Sequence, residues 1–225
     1  MISVLTLTYK RHHLLEEAIQ SFILQNKEDC EMVIINDNPN VDYILKNNSN
    51  IKIINYKFRF ESISDKIEWG YKQCKNEYIY RLDDDDLLTP WALQNVQTDI
   101  DNNPGFDVYR SKGMYFFVNN IFERENSNIN NGNVYTRTYF NRIKWPDTSI
   151  GEDADITFHK DGKIYESKLK STMLYRWGMG SLHISGMGHQ PNQVILDQAD
   201  KVLDNTTGTI ELNPKFLNDY YGQIN

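Results

Sequence analysis

Short runs of β-branched and apolar residues alternate with stretches of helical spacing as far as residue 101, and nothing else in the chain constrains its fold as tightly. Residues 2–8 (ISVLTLT), 31–36 (EMVIIN), 51–55 (IKIIN) and 77–82 (EYIYRL) read as buried strands. Between them, residues 12–25 place Leu14, Leu15, Ala18, Phe22 and Ile23 near helical spacing. Residues 62–75 read as a helix with Ile63, Ile67, Gly70 and Cys74 inward, and Pro90 suits the first turn of a helix over roughly 90–101. Asp37-Asn38-Pro39-Asn40 is a turn. This alternation predicts an α/β fold of parallel βαβ units with helices on both faces of one sheet.

From about residue 105 the pattern loosens. Short strands are expected at 107–109, 114–118 and 133–136, with a loop or hairpin tip over Asn126–Asn133. A helix is expected to open after Gly151, strands at Lys163–Tyr165 and Thr172–Tyr175, and a closing helix over 192–203. The final fifteen or so residues carry no clear signal. Residues 1–104 and 105–225 thus read as two halves of one continuous domain.

The first glycine in the chain is Gly70. Dinucleotide-binding and P-loop folds need glycines directly after the first strand, so that backbone can approach a pyrophosphate. Here that turn is Thr8-Tyr9-Lys10-Arg11-His12, which excludes both folds.

Lys and Arg number 24 against 31 Asp and Glu, a formal net charge of -7, so the chain has no general attraction to nucleic acid or anionic lipid. Cys30 and Cys74 have no metal-type spacing and imply no disulfide framework. No apolar run approaches the ~18 residues of a membrane helix. The chain reads as cytoplasmic, without a membrane span.

In such a negative chain, clustered acids need a reason. Asp83, Asp84, Asp85 and Asp86 sit where the fourth strand ends, the place where open α/β sheets collect ligands. Adjacent carboxylates repel, and a divalent cation compensates them. Alternation along an extended segment points Asp83 and Asp85 to one side, Asp85 as metal ligand and Asp83 beside ribose or metal, and turns Asp84 away. Asp86 is left to brace the loop or cap the next helix. A calcium loop fails on spacing, since Leu88 and Gln94 stand where it needs glycine and an acid.

YIYRLDDDDLLTPWAL resembles the strand and acidic motif of the family 2 glycosyltransferases, which have the GT-A fold. SVLTLTYKRHHLLEEAIQSFILQ resembles their first strand and helix, and EMVIINDN their second strand. Gly151-Glu152-Asp153 resembles the Glu-Asp motif before the acceptor-side helix, and Tyr175-Arg176 through His183 the closing segment. The resemblance implies a single Rossmann-like, mostly parallel sheet with a smaller acceptor-side region. It implies a nucleotide-sugar donor, a UDP-sugar first, met by Thr8, Tyr9, Arg11, Asp37, Lys66, Asp83, Asp84 and Arg176. In it Thr8, Tyr9 and Asp37 line the base pocket, Lys66 meets base or diphosphate, and Arg176 either reaches the diphosphate or pairs with an acid.

Asp85, Asp83 and His183 would hold the metal, Mn²⁺ before Mg²⁺ because histidine suits manganese better. Asp153 is the implied general base of an inverting displacement, with Glu152 orienting acceptor or loop. Trp145 and Trp177 read as sugar platforms or core. A saccharide is the first acceptor. A hydroxymethylated DNA base is second, on the strength of Arg137, Arg142 and Lys144 interleaved with aromatics. Two rivals share much of this pattern. A non-catalytic nucleotide-sugar binding module would keep Asp37, Asp83 and Asp85 without needing Asp153. A sugar-phosphate nucleotidyltransferase would need the glycine-rich turn that is missing.

Overall fold

A computed structural model describes residues 1–117, 121–125, 132–146, 152–176 and 203–224, with backbone alone for 121–125 and 152. The first part of the chain forms β1 (Ile2–Thr8), α1 (His12–Ile23), β2 (Glu31–Asn36), β3 (Val41–Ile44), β4 (Ile51–Asn55), α2 (Ile63–Tyr71), β5 (Tyr78–Arg81), β6 (Leu87–Leu88) and α3 (Ala92–Asn102). The remainder supplies β7 (Val108–Arg110), β8 (Gly113–Phe117), β9 (Ile121–Glu125), β10 (Val134–Thr136), α4 (Arg137–Phe140), α5 (Glu152–Thr157), β11 (Ile164–Glu166), β12 (Met173–Arg176) and β13 (Gly208–Glu211).

The central sheet runs β11-β7-β10-β5-β1-β2-β4, and only β10 is antiparallel to its neighbours. The reason lies in the strands' two apolar faces. Ile2, Val4, Met32, Ile34 and Tyr80 pack with α1 and α3 on one side. Leu5, Leu7, Val33, Ile35 and Ile79 pack with α2, α4 and α5 on the other. β10 inserts beside β5, so the two halves of the sequence share this sheet. A second sheet, β6-β12-β8-β9, stands beyond the acidic segment.

α2 crosses close to the sheet because residue 70 has no side chain. A Cβ there would lie 3.0 Å from Leu5 Cδ1 and 3.2 Å from Ile35 Cγ1. Gly70→Val should overpack this contact and cost about 1–3 kcal/mol, read as a lower urea midpoint at unchanged slope.

β3 is absent from the sequence reading, which sees only a turn after β2. Asparagine side chains build it: Asn36 Nδ2 donates to Val41 O (2.8 Å) and to Asn55 Oδ1 (3.0 Å), while Asn55 brackets Tyr43 through its N–H (2.9 Å) and its C=O (2.9 Å). Its sheet partner is β13, a strand that the sequence reading does not include. α2 stops at Tyr71, short of the expected residue 75, where Lys72 caps it. Most of the expected helix over 192–203 lies outside the described residues. No described helix is long and apolar enough to cross a membrane.

Candidate active site

The registers Thr8↔Asn36 and Leu5↔Arg81 bring the carboxyl ends of β1, β2 and β5 to one edge of the sheet. The chain leaves β5 through buried Arg81 and Leu82 and folds over Asp83–Asp86, closed by Asp86 N–H donating to Asp83 O at 3.2 Å. Ser21 on α1 fixes the far side, its Oγ accepting from Leu88 N at 3.0 Å.

The four aspartates then divide. Asp84 is fully buried and ion-paired with Arg11, which also reaches Asp85 Oδ2 at 3.0 Å. Burial works against the Arg11 charge, but Asp84, Asp85 and Asp83 outweigh it and raise its pKa. Burial likewise pushes Asp84 up from the ordinary carboxylate range, with Arg11 opposing. Asp84 and Arg11 are thus paired with each other, and Arg11 also ties Asp85 into the turn.

Asp83, Asp85 and Asp86 each offer an oxygen, all within 4.8 Å of one another. Asp83 is 29% exposed and Asp85 15%, so both look outward. Asp86 is buried: its Oδ1 accepts Arg176 N–H at 3.1 Å, and among the described residues its Oδ2 has no hydrogen-bond partner. Burial, then the Asp85 and Asp83 charges, push its pKa well up. A buried, unpaired carboxylate oxygen beside two others is costly. The donor set is all hard oxygen, which suits a divalent ion such as Mg²⁺ or Mn²⁺. The residues present fit such an ion. The sequence reading gave Asp86 only a bracing or capping task, whereas α3 starts at Ala92 with Trp91 at its N-cap and no side-chain cap.

On the β2 side, Asp37 is almost fully buried and its carboxylate is fully used. Lys66 Nζ donates to Oδ1 at 2.6 Å, Arg59 donates to it at 2.7 Å, and Phe60 N–H reaches Oδ2 at 3.2 Å. Lys66 also donates to Thr8 O at 2.7 Å, which ties α2 to the end of β1. Burial drives the Lys66 pKa down to about 8, against the pull of Asp37. The Arg59 guanidinium lies 3.6 Å above the Tyr9 ring and is half exposed. Sequence reading passed over Arg59, because only the fold brings it to Tyr9 and Asp37.

On the opposite side stands Asp153, 20% exposed in the first turn of α5. Arg81 links it to the acidic turn, with Nη2 3.1 Å from Asp83 Oδ1 and 3.9 Å from Asp153 Oδ1. Three buried contacts seat α5: Tyr139 Oη donates to Ile156 O, Tyr135 Oη meets Thr157 Oγ1 at 2.8 Å, and Asn133 Nδ2 donates to Thr157 Oγ1 at 3.2 Å.

Residues 3–166 match the family model described as "Glycosyl transferase family 2". The chain belongs to glycosyl transferase family 2. Its mixed α/β, mostly parallel sheet is the GT-A architecture. An uncharacterized glycosyltransferase of Haemophilus influenzae is 28% identical over 131 residues, 56% of this chain and 39% of that protein. Crystal structures of TarS 1–349 from S. aureus share the fold. The complex with UDP-GlcNAc aligns with TM-score 0.64 at 14% identity over 89% of this chain and 65% of that one. The complex with UDP aligns with TM-score 0.62 at 17% identity over 78% and 60%. This family 2 chain thus spans under two thirds of the length of these relatives.

The remaining expectations resolve unevenly. Arg176 is buried and pairs with Glu17, so of its two readings the acid partner holds. Trp145 stacks on Tyr71 (5.6 Å, 11°) and packs against Phe140, as core. Of the basic patch only Arg137 is spent inside the fold, while Arg142 and Lys144 are exposed. Arg137 donates to Tyr71 O (3.2 Å), Cys74 O and Asn76 O (2.9 Å), and Arg142 pairs with Asp107 at 2.6 Å. His183, Trp177, Gly151 and the Glu152 side chain lie outside the described residues.

Proposed function

We propose that this family 2 chain transfers a sugar from a nucleotide-diphosphate sugar, a UDP-sugar first, to an acceptor hydroxyl with inversion. The observation that carries this reading is the link through Arg81 between Asp83 of the acidic turn and Asp153. It places a carboxylate fit for a base beside a carboxylate cluster fit for a cation. The TarS complexes with UDP and UDP-GlcNAc support the same class of donor.

A divalent ion held by Asp83, Asp85 and Asp86, with His183 as a further ligand, would supply positive charge to the departing diphosphate. The chain's own residues do the rest. Asp153 accepts the proton of the acceptor hydroxyl as its oxygen bonds to the anomeric carbon and the bond to the diphosphate oxygen breaks. Arg81 holds Asp153 and Asp83 in one frame. Tyr9 offers the nucleobase an aromatic face and Asp37 a carboxylate, once Arg59 moves aside. Glu152 orients the acceptor. A saccharide acceptor leads, and the internal engagement of Arg137 weakens the case for DNA. Buried free thiols at Cys30 and Cys74 suit a cytoplasmic setting.

Thermal shift with a panel of nucleotide sugars tests this. A UDP-sugar with Mn²⁺ should raise the melting temperature more than either alone. Saturation at 100 times Kd corresponds to about 2.7 kcal/mol. No shift with any nucleotide sugar, with or without Mn²⁺ or Mg²⁺, would refute the donor assignment.

A further inference from the structure

One residue touches three consecutive members of the acidic turn without facing outward. Arg176, at the end of β12, donates its Nε to Asp85 O and its Nη2 to Asp84 O at 3.5 Å, while its backbone N–H meets Asp86 Oδ1 at 3.1 Å. The same Nη2 donates to Leu14 O on α1 at 3.2 Å, and Nη1 is paired with Glu17 of α1. Both charges are buried.

Glu17 is in turn held from the far end of the chain. Its second oxygen, Oε1, accepts the backbone N–H of Leu217 at 2.8 Å. With both oxygens occupied, the carboxylate has one rotamer. With all three of its nitrogens engaged, the guanidinium cannot turn without breaking several bonds. Two further contacts run parallel to this one: Tyr221 Oη donates to Leu88 O at 2.6 Å, and Tyr220 packs edge-on to Phe117 at 5.1 Å. The same segment also crosses the first turn. Asp204 N–H donates to Lys10 O at 2.8 Å, the Asp204 carboxylate stands 2.8 Å from His12 Nδ1, and Lys10 Nζ donates to Asn205 at 2.9 Å.

We infer that the C-terminal segment 203–224, acting through Glu17 and Arg176, fixes the position of the acidic turn, making Glu17 and Arg176 positioning residues for the cation site. This rests on the metal-binding reading of Asp83, Asp85 and Asp86. The segment and Arg176 both lie beyond residue 166, where the family match ends. A buried ion pair adds little net stability, so a geometric task explains its presence better than a stabilising one. A turn of like charges tends to splay, and a guanidinium bound to its carbonyls opposes that.

The test uses the whole chain with Mn²⁺ as probe. Arg176→Lys keeps a cation for Glu17 but lacks the planar fork that reaches several carbonyls at once. It should weaken Mn²⁺ binding, followed by the paramagnetic resonance of free Mn²⁺, by about 10–100-fold, as loss of outer-shell support does. Metal-free UDP affinity should stay as in the wild type. Hydrogen exchange of amides 83–88 should quicken while that of β1 does not. Leu217→Pro deletes the N–H that binds Glu17, and Leu217→Ala retains it; the side chain is exposed, so only the proline should act. A folded Arg176→Lys with unchanged exchange at 83–88 and unchanged Mn²⁺ affinity overturns the inference, as does equal loss in the two Leu217 variants. Should Arg176→Lys fail to fold, the Leu217 pair decides by the same readouts. Should the wild type take up no Mn²⁺ while exchange at 83–88 still responds, the positioning role stands and the metal reading falls.

Discussion

Asp153→Asn should lower kcat by about 10²–10⁴-fold and leave the donor KM nearly unchanged. The side chain stands in the first turn of α5, 20% exposed and 3.9 Å from the Arg81 guanidinium. Asparagine keeps its shape and leaves the Arg81 bond to Asp83 in place, so the fold and the acidic turn should survive. What asparagine lacks is a basic oxygen. The acceptor hydroxyl would then have to attack with its proton still attached, and that cost falls on the transition state alone. Loss in kcat without loss of donor binding is the signature of such a group. Single-turnover transfer under saturating donor measures it directly. Transfer at the wild-type rate would remove Asp153 as base. A wild type that binds donor yet turns over none would favour the non-catalytic binding module.

The parts of this molecule legible in sequence are those fixed by near neighbours in the chain. β1, β2 and β5 announce themselves because their apolar residues are buried on both faces of the sheet, and the half-buried edge strand β4 because its residues are β-branched and apolar apart from Lys52 and Asn55. The acidic turn is legible because four like charges in a row demand compensation. What stayed hidden depends on distant partners. β3 needs β13, more than 150 residues away, and the asparagine brackets of Asn36 and Asn55. Asp86 looks like any loop acid until Arg176 and the buried turn enclose it. Arg59 and Lys66 differ little in sequence from solvated cations, and only the convergence of β2, α2 and the 56–62 segment puts both on Asp37. Arg176 stayed open in sequence between the diphosphate and an acid partner, and only the fold shows the acid. Its partner Glu17 sits on α1, 159 residues away, and no spacing rule connects them.

Asp37→Ala should destabilise the protein by about 3–5 kcal/mol, because it leaves the Lys66 ammonium buried without its carboxylate. Lys66 is 7% exposed and would keep only the neutral Thr8 carbonyl, whereas Arg59 can turn into water. The loss should depend on pH, and Lys66→Met isolates the term. Burial holds the folded-state Lys66 pKa at about 8, against an ordinary 10.5. Between these values the unfolded chain binds the extra proton, so this group makes stability rise with pH. The burial penalty on the ammonium is fully present below pH 8 and fades as pH approaches 10.5; at about 1.4 kcal/mol per unit it amounts to about 3 kcal/mol. Lys66→Met carries no such penalty. The stability of the wild type relative to Lys66→Met should therefore climb by roughly that amount over this window, with tyrosine ionisation cancelling in the difference. In Asp37→Ala the lysine pKa should fall further, and the window should open at lower pH. Urea unfolding at pH 7, 8.5 and 10 for the three proteins measures both effects. A flat difference between wild type and Lys66→Met would mean that the ammonium is solvated and that Asp37 is free to meet a nucleobase without displacing it.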